Sequence, residues 1–406
     1  MGSSPHTGPI VVSGTGMVTA LGAGVPANLE ALLKERTGIA PLRFLETRHR
    51  GSLPAGEVPY NNEELAALAR PGEVRGWTRT ALMGLLAVRE ALQGSGLDPK
   101  GPRTGFISAT TAGGIASTEP IYHRFFEDDI TDKELQYLGT HDPGEHAERI
   151  AQELGCRSIV TTISTACSSS ANAIMLGSRL IRHGLLDAAI VGGTDALCKY
   201  TVNGFNSLMI LDPEPCRPFD ASRRGLNLGE AGAFLVLEPM ERARARGATV
   251  LGVVSGFANT NDAYHATASS PQGDGALLAM QRALDMAGVA PGEVDHINVH
   301  GTGTENNDLS EGHALRRLFG TEVPQFSSTK SFTGHTLGAA GAVEAIYSLL
   351  AIQEQVMFAN LRFTEPLPET GLIPIVATKK TEGLRHVLSN SFGFGGNNTS
   401  LLISAP

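Results

Sequence analysis

Cys167 stands where an apolar run ends and a helical pattern begins, in the stretch 161–170 (TTISTACSSS). A thiol at a helix N-terminus faces the positive end of the helix dipole, so its thiolate is favoured and its pKa is expected to fall. A sharp strand-to-helix turn also leaves backbone N–H groups free to hold an oxyanion. Those two features together suit acyl transfer through a covalent thioester. Burial as a packing residue is the commonest fate of a free cysteine. The turn position and the small residues on either side set Cys167 apart, whereas Cys156, Cys198 and Cys216 read as packing residues. None of the four shows CxxC spacing, which argues against a disulfide framework.

Two histidines complete the constellation. His300 opens the run 300–304 (HGTGT), and His335 ends the run 328–335 (STKSFTGH). Each lies beyond an apolar segment and beside glycines that allow close approach of a ligand, the loop position where α/β sheets build sites. Neutral imidazoles can donate hydrogen bonds to a thioester carbonyl gaining enolate character, and one could manage a proton. Zinc binding is the rival, but two histidines this far apart, with no carboxylate at ligand spacing, make a poor site. His183, His265 and His313 read as ordinary core or surface residues. Lys330 and Glu344 flank His335 and could form a buried pair holding its loop, or an exposed pair of little consequence.

The elements that must position these groups follow from apolar patterning. Runs at 9–13, 104–108, 158–163, 188–192, 233–237, 250–256, 296–299 and 386–389 are apolar nearly throughout, as in parallel strands covered on both faces. Helical patterns lie between them, at 80–93, 168–183, 275–287, 309–318 and 339–354. In the 168–183 helix, Ala171, Ile174, Met175, Ser178 and Ile181 share one face, and Gly184 stops it. Alternation of this kind predicts a layered α/β fold. The glycine-rich turn and strand at 225–237 recurs in form at 392–403, which predicts a duplicated architecture. The first half then spans residues 1–247 with the cysteine, and the second spans 248–406 with the histidines. Residues 113–151, richer in charge and aromatics, read as an insertion.

With 406 residues, 41% hydrophobic and 18% charged, the chain is long enough for a substantial core. A net charge of −9, with no long basic run, argues against a nucleic-acid partner. No stretch is long and apolar enough for a membrane span and no signal peptide is evident, so the expected location is the reducing cytoplasm. The opening nine residues look like a flexible leader and receive no role.

These residues resemble the elongating β-ketoacyl-[acyl-carrier-protein] synthases, a family of the thiolase-fold condensing enzymes. The resemblance is collinear, through 11–22 (VVSGTGMVTALG), 165–169 (TACSS), 216–220 (CRPFD), 300–304 (HGTGT), 330–335 (KSFTGH) with 338–341 (GAAG), and 390–396 (NSFGFGG). It implies a duplicated thiolase-like α/β fold, layered α-β-α-β-α, with a cap in the N-terminal half. It implies that Cys167 accepts an acyl chain from a carrier protein. His300 and His335 would then support decarboxylation of malonyl-carrier protein, giving a 3-oxoacyl chain two carbons longer, with CO2.

By the same resemblance the N–H groups of Cys167 and Phe394 form the oxyanion hole, and Phe394 with Phe392 forms the gate. Lys330 and Glu344 support the second histidine. Thr302, Thr304 and Thr267 contact the phosphopantetheine arm, which arrives on the carrier, so no resident cofactor is expected. No metal is required, although a monovalent cation near Asn298, Glu344 and Ser389 fits the family. An acidic carrier implies a basic docking rim, for which Arg70, Arg75 and Arg79 are candidates. Family members are homodimers or heterodimers. The chain departs from the usual pattern at Gly303 (commonly Ser), Asn397 (commonly Thr) and Phe332 (frequently Met), and at Ile163 and Ser164. That leaves fatty acid, polyketide and aryl-polyene pathways open. A degradative thiolase would need a second cysteine in 390–396, and starter-type synthases use His with Asn. The remaining rival is a non-catalytic, chain-length-determining partner subunit, which would lack the nucleophile.

Overall fold

A computed structural model describes residues 6, 8–73, 75–122, 124 and 130–406. Ten strands form the main path of one mixed sheet. The first five are β1 (Ile10–Thr19), β2 (Thr104–Ala109), β3 (Val160–Ile163), β4 (Ala188–Asp195) and β5 (Ala231–Pro239). The others are β6 (Gly252–Asn261), β7 (His296–Asn298), β8 (Gln325–Ser327), β9 (His386–Gly393) and β10 (Asn397–Ser404). Their order is β8-β7-β9-β10-β6-β1-β5-β4-β2-β3. A short antiparallel contact, Val11 with Val253 and Val12 with Gly252, joins β1 to β6.

Outward from that join the two series repeat one pattern. β1-β5-β4-β2-β3 and β6-β10-β9-β7-β8 each run through two antiparallel and then two parallel pairings. The sheet is therefore mixed rather than parallel. The apolar runs in its strands arise because helices cover both faces, and that pattern carries no information about strand direction.

The helices that matter for the site are α1 (Arg79–Ser95), α2 (Glu145–Leu154), α3 (Ser169–Arg182), α4 (Lys199–Ser207), α5 (Asp274–Ala287), α6 (Glu305–Phe319) and α7 (Ala340–Glu354). Three apolar clusters mark the layers. One lies under α1 and α2, a second surrounds α3 and α7 and reaches strands of both series, and a third lies under α5 and α6. This is the thiolase-like α-β-α-β-α arrangement. Helix α7 is buried from Ala340 to Ile352, as a helix apolar on all sides must be. Helix α1 is bounded by local chemistry: the Thr78 hydroxyl accepts from Ala81 N, and Gly96 closes the far end at φ +65°.

The stretch expected to be an insertion ends earlier than the composition suggested. Helix α2 places Ala147, Ile150 and Ala151 in the core beneath α1. Its charged residues Glu145, Glu148 and Glu153 lie on the other side at helical spacing, so high charge concealed an amphipathic core helix. Residues 123 and 125–129 of that stretch lie outside the described residues. No helix among the described residues is long and apolar enough to cross a membrane.

Candidate active site

The chain rises out of β3 and turns sharply at Ala166, which adopts a left-handed φ of +52°. A non-glycine residue pays roughly 1 kcal/mol or more for that conformation. Local bonds hold it: Ser169 N and Oγ both reach the Ala166 carbonyl, and Thr165 N donates to Ser169 Oγ at 2.8 Å. Cys167 sits at the turn, just ahead of α3. From the other series, Gly393 at the end of β9 presses against it. A Cβ on Gly393 would come within 3.1 Å of Cys167 N and of the Thr165 carbonyl, so a side chain there would push on the turn that carries the sulfur.

His300 follows β7 by two residues. Its backbone N–H, and that of Gly301, donate to the two oxygens of Glu311 on α6 at 2.9 and 2.8 Å. His335 is fixed by Gly225–Gly229, the first glycine-rich turn: its N–H donates to the Asn227 carbonyl at 2.7 Å, and its carbonyl accepts from Gly229 N at 2.8 Å. The rings meet edge to face, with centroids 5.4 Å apart. Cys167 Sγ and one nitrogen of each imidazole lie within 4.8 Å of one another. All three line one cavity of about 400 Å³ with Phe205, Arg224, Thr302 and Phe394.

The hydrogen bonds assign the tautomers. Lys330 was expected to support the second histidine, but its Nζ lies 3.2 Å from Nδ1 of the first, His300, because the His335 Nδ1 is already taken by Leu337 N, which donates to it at 3.1 Å. Both Nδ1 atoms are acceptors, so each neutral ring carries its proton on Nε2. The His335 Nε2 is buried with no partner among the described residues. A buried donor left open costs about 1–3 kcal/mol, which a substrate oxygen would recover. Burial first, and then the Lys330 charge, hold both imidazoles well below the ordinary histidine range, so they are neutral. The same ammonium, with a proton on each Nε2, opposes a metal ion among these three side chains despite their spacing.

Cys167 differs from its sequence-based expectation. Burial pushes its thiol up to about 11, outweighing the pull of Lys330 and of the Phe394 and Cys167 N–H groups. A helix end offers at most about 2 kcal/mol, and desolvation of a thiolate exceeds that here. The resting sulfur is therefore a thiol at pH 7. Alkylation of Cys167 by iodoacetamide, read by peptide mass, should therefore rise about tenfold per pH unit between pH 7 and 10. A rate already level at pH 7 would show that the helix end prevails.

Lys330 and Glu344 form a buried ion pair, and burial raises the Glu344 carboxyl to about 7. Asn298 Nδ2 approaches the Glu344 carbonyl at 3.4 Å, and Ser327, Asn298 and Ser389 lie side by side across three strands. Glu344 Oε2, Ser327 Oγ and Ser389 Oγ are buried without partners among the described residues. Such oxygen donors fit a monovalent cation. Phe392 stands 5.8 Å from the His300 ring, and Phe394 stacks on Phe205 of α4 at 5.5 Å. Thr302 and Thr304 face each other at 2.9 Å, and Thr267 lies at the exposed mouth.

Gly303 has a φ of +83°, and a Cβ there would meet the Gly225 carbonyl at 2.7 Å. A serine would be strained in this chain. Glu311 and Arg224 escaped notice in the sequence. Glu311 had one signal, a carboxylate on the face of α6 that also carries Ala314 and Leu315, where burial demands partners.

Arg79 does not belong to a docking rim. It is buried against Glu230, with Nη2–Oε1 2.5 Å, and also donates to the carbonyls of Val58 and Tyr60. Preceding an exposed-looking segment disguised a residue whose helix turns it inward. Arg79→Ala should cost about 3–5 kcal/mol by stranding the Glu230 charge. A denaturation midpoint should show that loss while the KM for a carrier stays unchanged. Arg70 and Arg75 are exposed, but neither lines the cavity.

A cysteine at a helix head, two imidazole donors from the second strand series and a glycine-rich loop over the sulfur define a condensing enzyme of the thiolase fold. The chain belongs to the β-ketoacyl synthase family: the family's N-terminal domain profile matches residues 7–243 and its C-terminal domain profile matches residues 251–364. It is 32% identical over 404 residues to a 3-oxoacyl-[acyl-carrier-protein] synthase 2 of Staphylococcus aureus (strain COL), covering 97% of each chain. Among solved structures it resembles the ishigamide ketosynthase/chain length factor (TM-score 0.92, 31% identity, 98% of this chain and 99% of that one). It also resembles a type II PKS ketosynthase bound to a hexaketide in complex with its acyl-carrier protein (TM-score 0.88, 26% identity, 99% and 100%).

Proposed function

We propose that this chain catalyses decarboxylative Claisen condensation between an acyl group on Cys167 and malonyl-carrier protein. The observation that carries this reading is the convergence of one thiol and two imidazoles, each with its proton on Nε2, at the foot of one cavity. In the first step the sulfur attacks the carrier-bound thioester, and the departing pantetheine sulfur takes the thiol proton. A thiol replaces a thiol, so a high resting pKa slows this step without blocking it. In the second step the C–CO2 bond of the malonyl group breaks and CO2 leaves. The electrons pass to the thioester oxygen, held by the Nε2–H groups of His300 and His335. The nascent carbanion then attacks the acyl carbon. The N–H groups of Cys167 and Phe394 hold the resulting oxyanion, and its collapse expels the Cys167 sulfur, which regains a proton.

Lys330 fixes the His300 tautomer, and Glu344 balances its charge. Asn298, Glu344 and Ser389 would hold a monovalent cation, which supplies positive charge behind this pair. Thr302, Thr304 and Thr267 would line the path of the phosphopantetheine arm, and Arg70 and Arg75 remain candidates for meeting the carrier. The relatives' ketosynthase/chain length factor and carrier-protein complexes support a carrier protein and a related subunit as partners. Incubation with acyl- and malonyl-carrier protein should yield a 3-oxoacyl chain two carbons longer, with one CO2 per extension. Products read by mass with no extension, across acyl donors and with a ketosynthase-like partner present, would remove the reading.

A further inference from the structure

Behind Cys167, away from the cavity, lies a polar cluster in which one oxygen receives three donors. Asn397 Oδ1 accepts from Ser168 Oγ at 2.6 Å, Asn259 Nδ2 at 2.7 Å and Asn172 Nδ2 at 3.1 Å. Asn172 Oδ1 in turn accepts from Thr399 Oγ1 at 2.8 Å. With the Asn172 amide in that orientation, Asn397 presents its oxygen, since flipping its amide alone would set donor against donor.

The position of this oxygen in the chain gives it a further consequence. Ser168 follows Cys167 directly, and Asn397 opens β10 directly after the Phe394–Gly396 turn. The Ser168–Asn397 bond thus ties together the two segments whose N–H groups, Cys167 and Phe394, both act on the sulfur site. We propose that Asn397 is a positioning residue that sets the distance between the two oxyanion-hole donors. This inference rests on the acyl-transfer reading above. Removing the Asn397 amide need not unfold the protein. Asn259 keeps Thr399 Oγ1 at 2.8 Å, Asn172 keeps Thr165 Oγ1 at 2.8 Å, and Ser168 turns the one hydroxyl proton it shares between Asn397 and the Thr165 carbonyl wholly to that carbonyl, 2.8 Å away. What is lost is the direct link between Ser168 and the start of β10, while Thr399 still bonds Asn172 on α3, and a site that must hold its geometry to within about 0.5 Å is sensitive to that loss.

The test compares two reactions of the same sulfur. Acylation of Cys167 by a hexanoyl-carrier protein passes through an oxyanion, whereas alkylation by iodoacetamide, taken as its limiting rate at a pH where the sulfur is ionised, does not. Asn397→Ala should slow the maximal acylation rate by about tenfold or more, with KM, alkylation rate and melting temperature little changed. Ser168→Ala should reproduce the defect from the other end, and the double variant should be no worse than either single one. Unchanged acylation in both single variants, or acylation and alkylation falling together, would overturn the proposal. Wild-type protein that takes no acyl group from any donor would instead overturn the acyl-transfer reading itself.

Discussion

Cys167→Ala is expected to abolish chain extension, by about 10⁴-fold or more, while the protein still releases CO2 from a malonyl thioester. The two halves of this expectation follow from geometry. No other sulfur can substitute: Cys156, Cys198 and Cys216 are buried and none lines the cavity. The His300 and His335 donors, in contrast, are held by Lys330, Glu311, Leu337 and Asn227, none of which depends on the thiol. The alanine variant is also mild, since it deletes one buried atom beside an existing cavity. Stability should change by no more than about 1–2 kcal/mol. Intact mass should show no acyl adduct, and product analysis no lengthened chain. Undiminished extension by this variant would mean that the acyl group never rests on Cys167.

Much of this site was legible before any coordinates because its chemistry is written in short runs. The thiol at a strand-to-helix turn and the glycine-flanked histidines each carry their context within a few residues, so local reasoning reached them. The repeated turn at 225–237 and 392–403 likewise announced the duplication that the strand pairings display. What escaped was whatever depends on the far side of a contact. Arg79 looked like surface charge because its partner Glu230 lies 151 residues away. Glu311 escaped notice because its partners are the backbone N–H groups of His300 and Gly301 and the distant Asn390 amide. The acidity of Cys167 was misjudged because the helix dipole is visible in sequence, whereas the depth of burial opposing it is not. Strand direction was hidden for a related reason, since burial on both faces erases the alternation that betrays an antiparallel strand.

His335→Ala should lower the rate of malonyl decarboxylation by roughly 10²–10³-fold, about 2.7–4 kcal/mol of transition-state stabilisation, while leaving acylation of Cys167 within a few-fold of normal. The asymmetry separates its role from that of the thiol. In the proposed reaction, decarboxylation builds charge on the malonyl thioester oxygen, and the Nδ1 contacts leave the two Nε2–H groups to meet it. One of them, on His335, has no other partner among the described residues. In the proposed reaction, acyl transfer builds charge instead on an oxygen facing the N–H groups of Cys167 and Phe394, the two that also act on the sulfur. The identity of the donor also matters. A glutamine at this position places an amide N–H near the lost Nε2–H, so His335→Gln should recover part of the rate that alanine loses. An imidazole acting as a base could not be replaced in this way, because an amide takes up no proton at neutral pH. Glutamine and alanine variants equally impaired in CO2 release would therefore recast His335 as a base and break the donor symmetry of the pair. CO2 release at the wild-type rate in both would remove it from decarboxylation altogether.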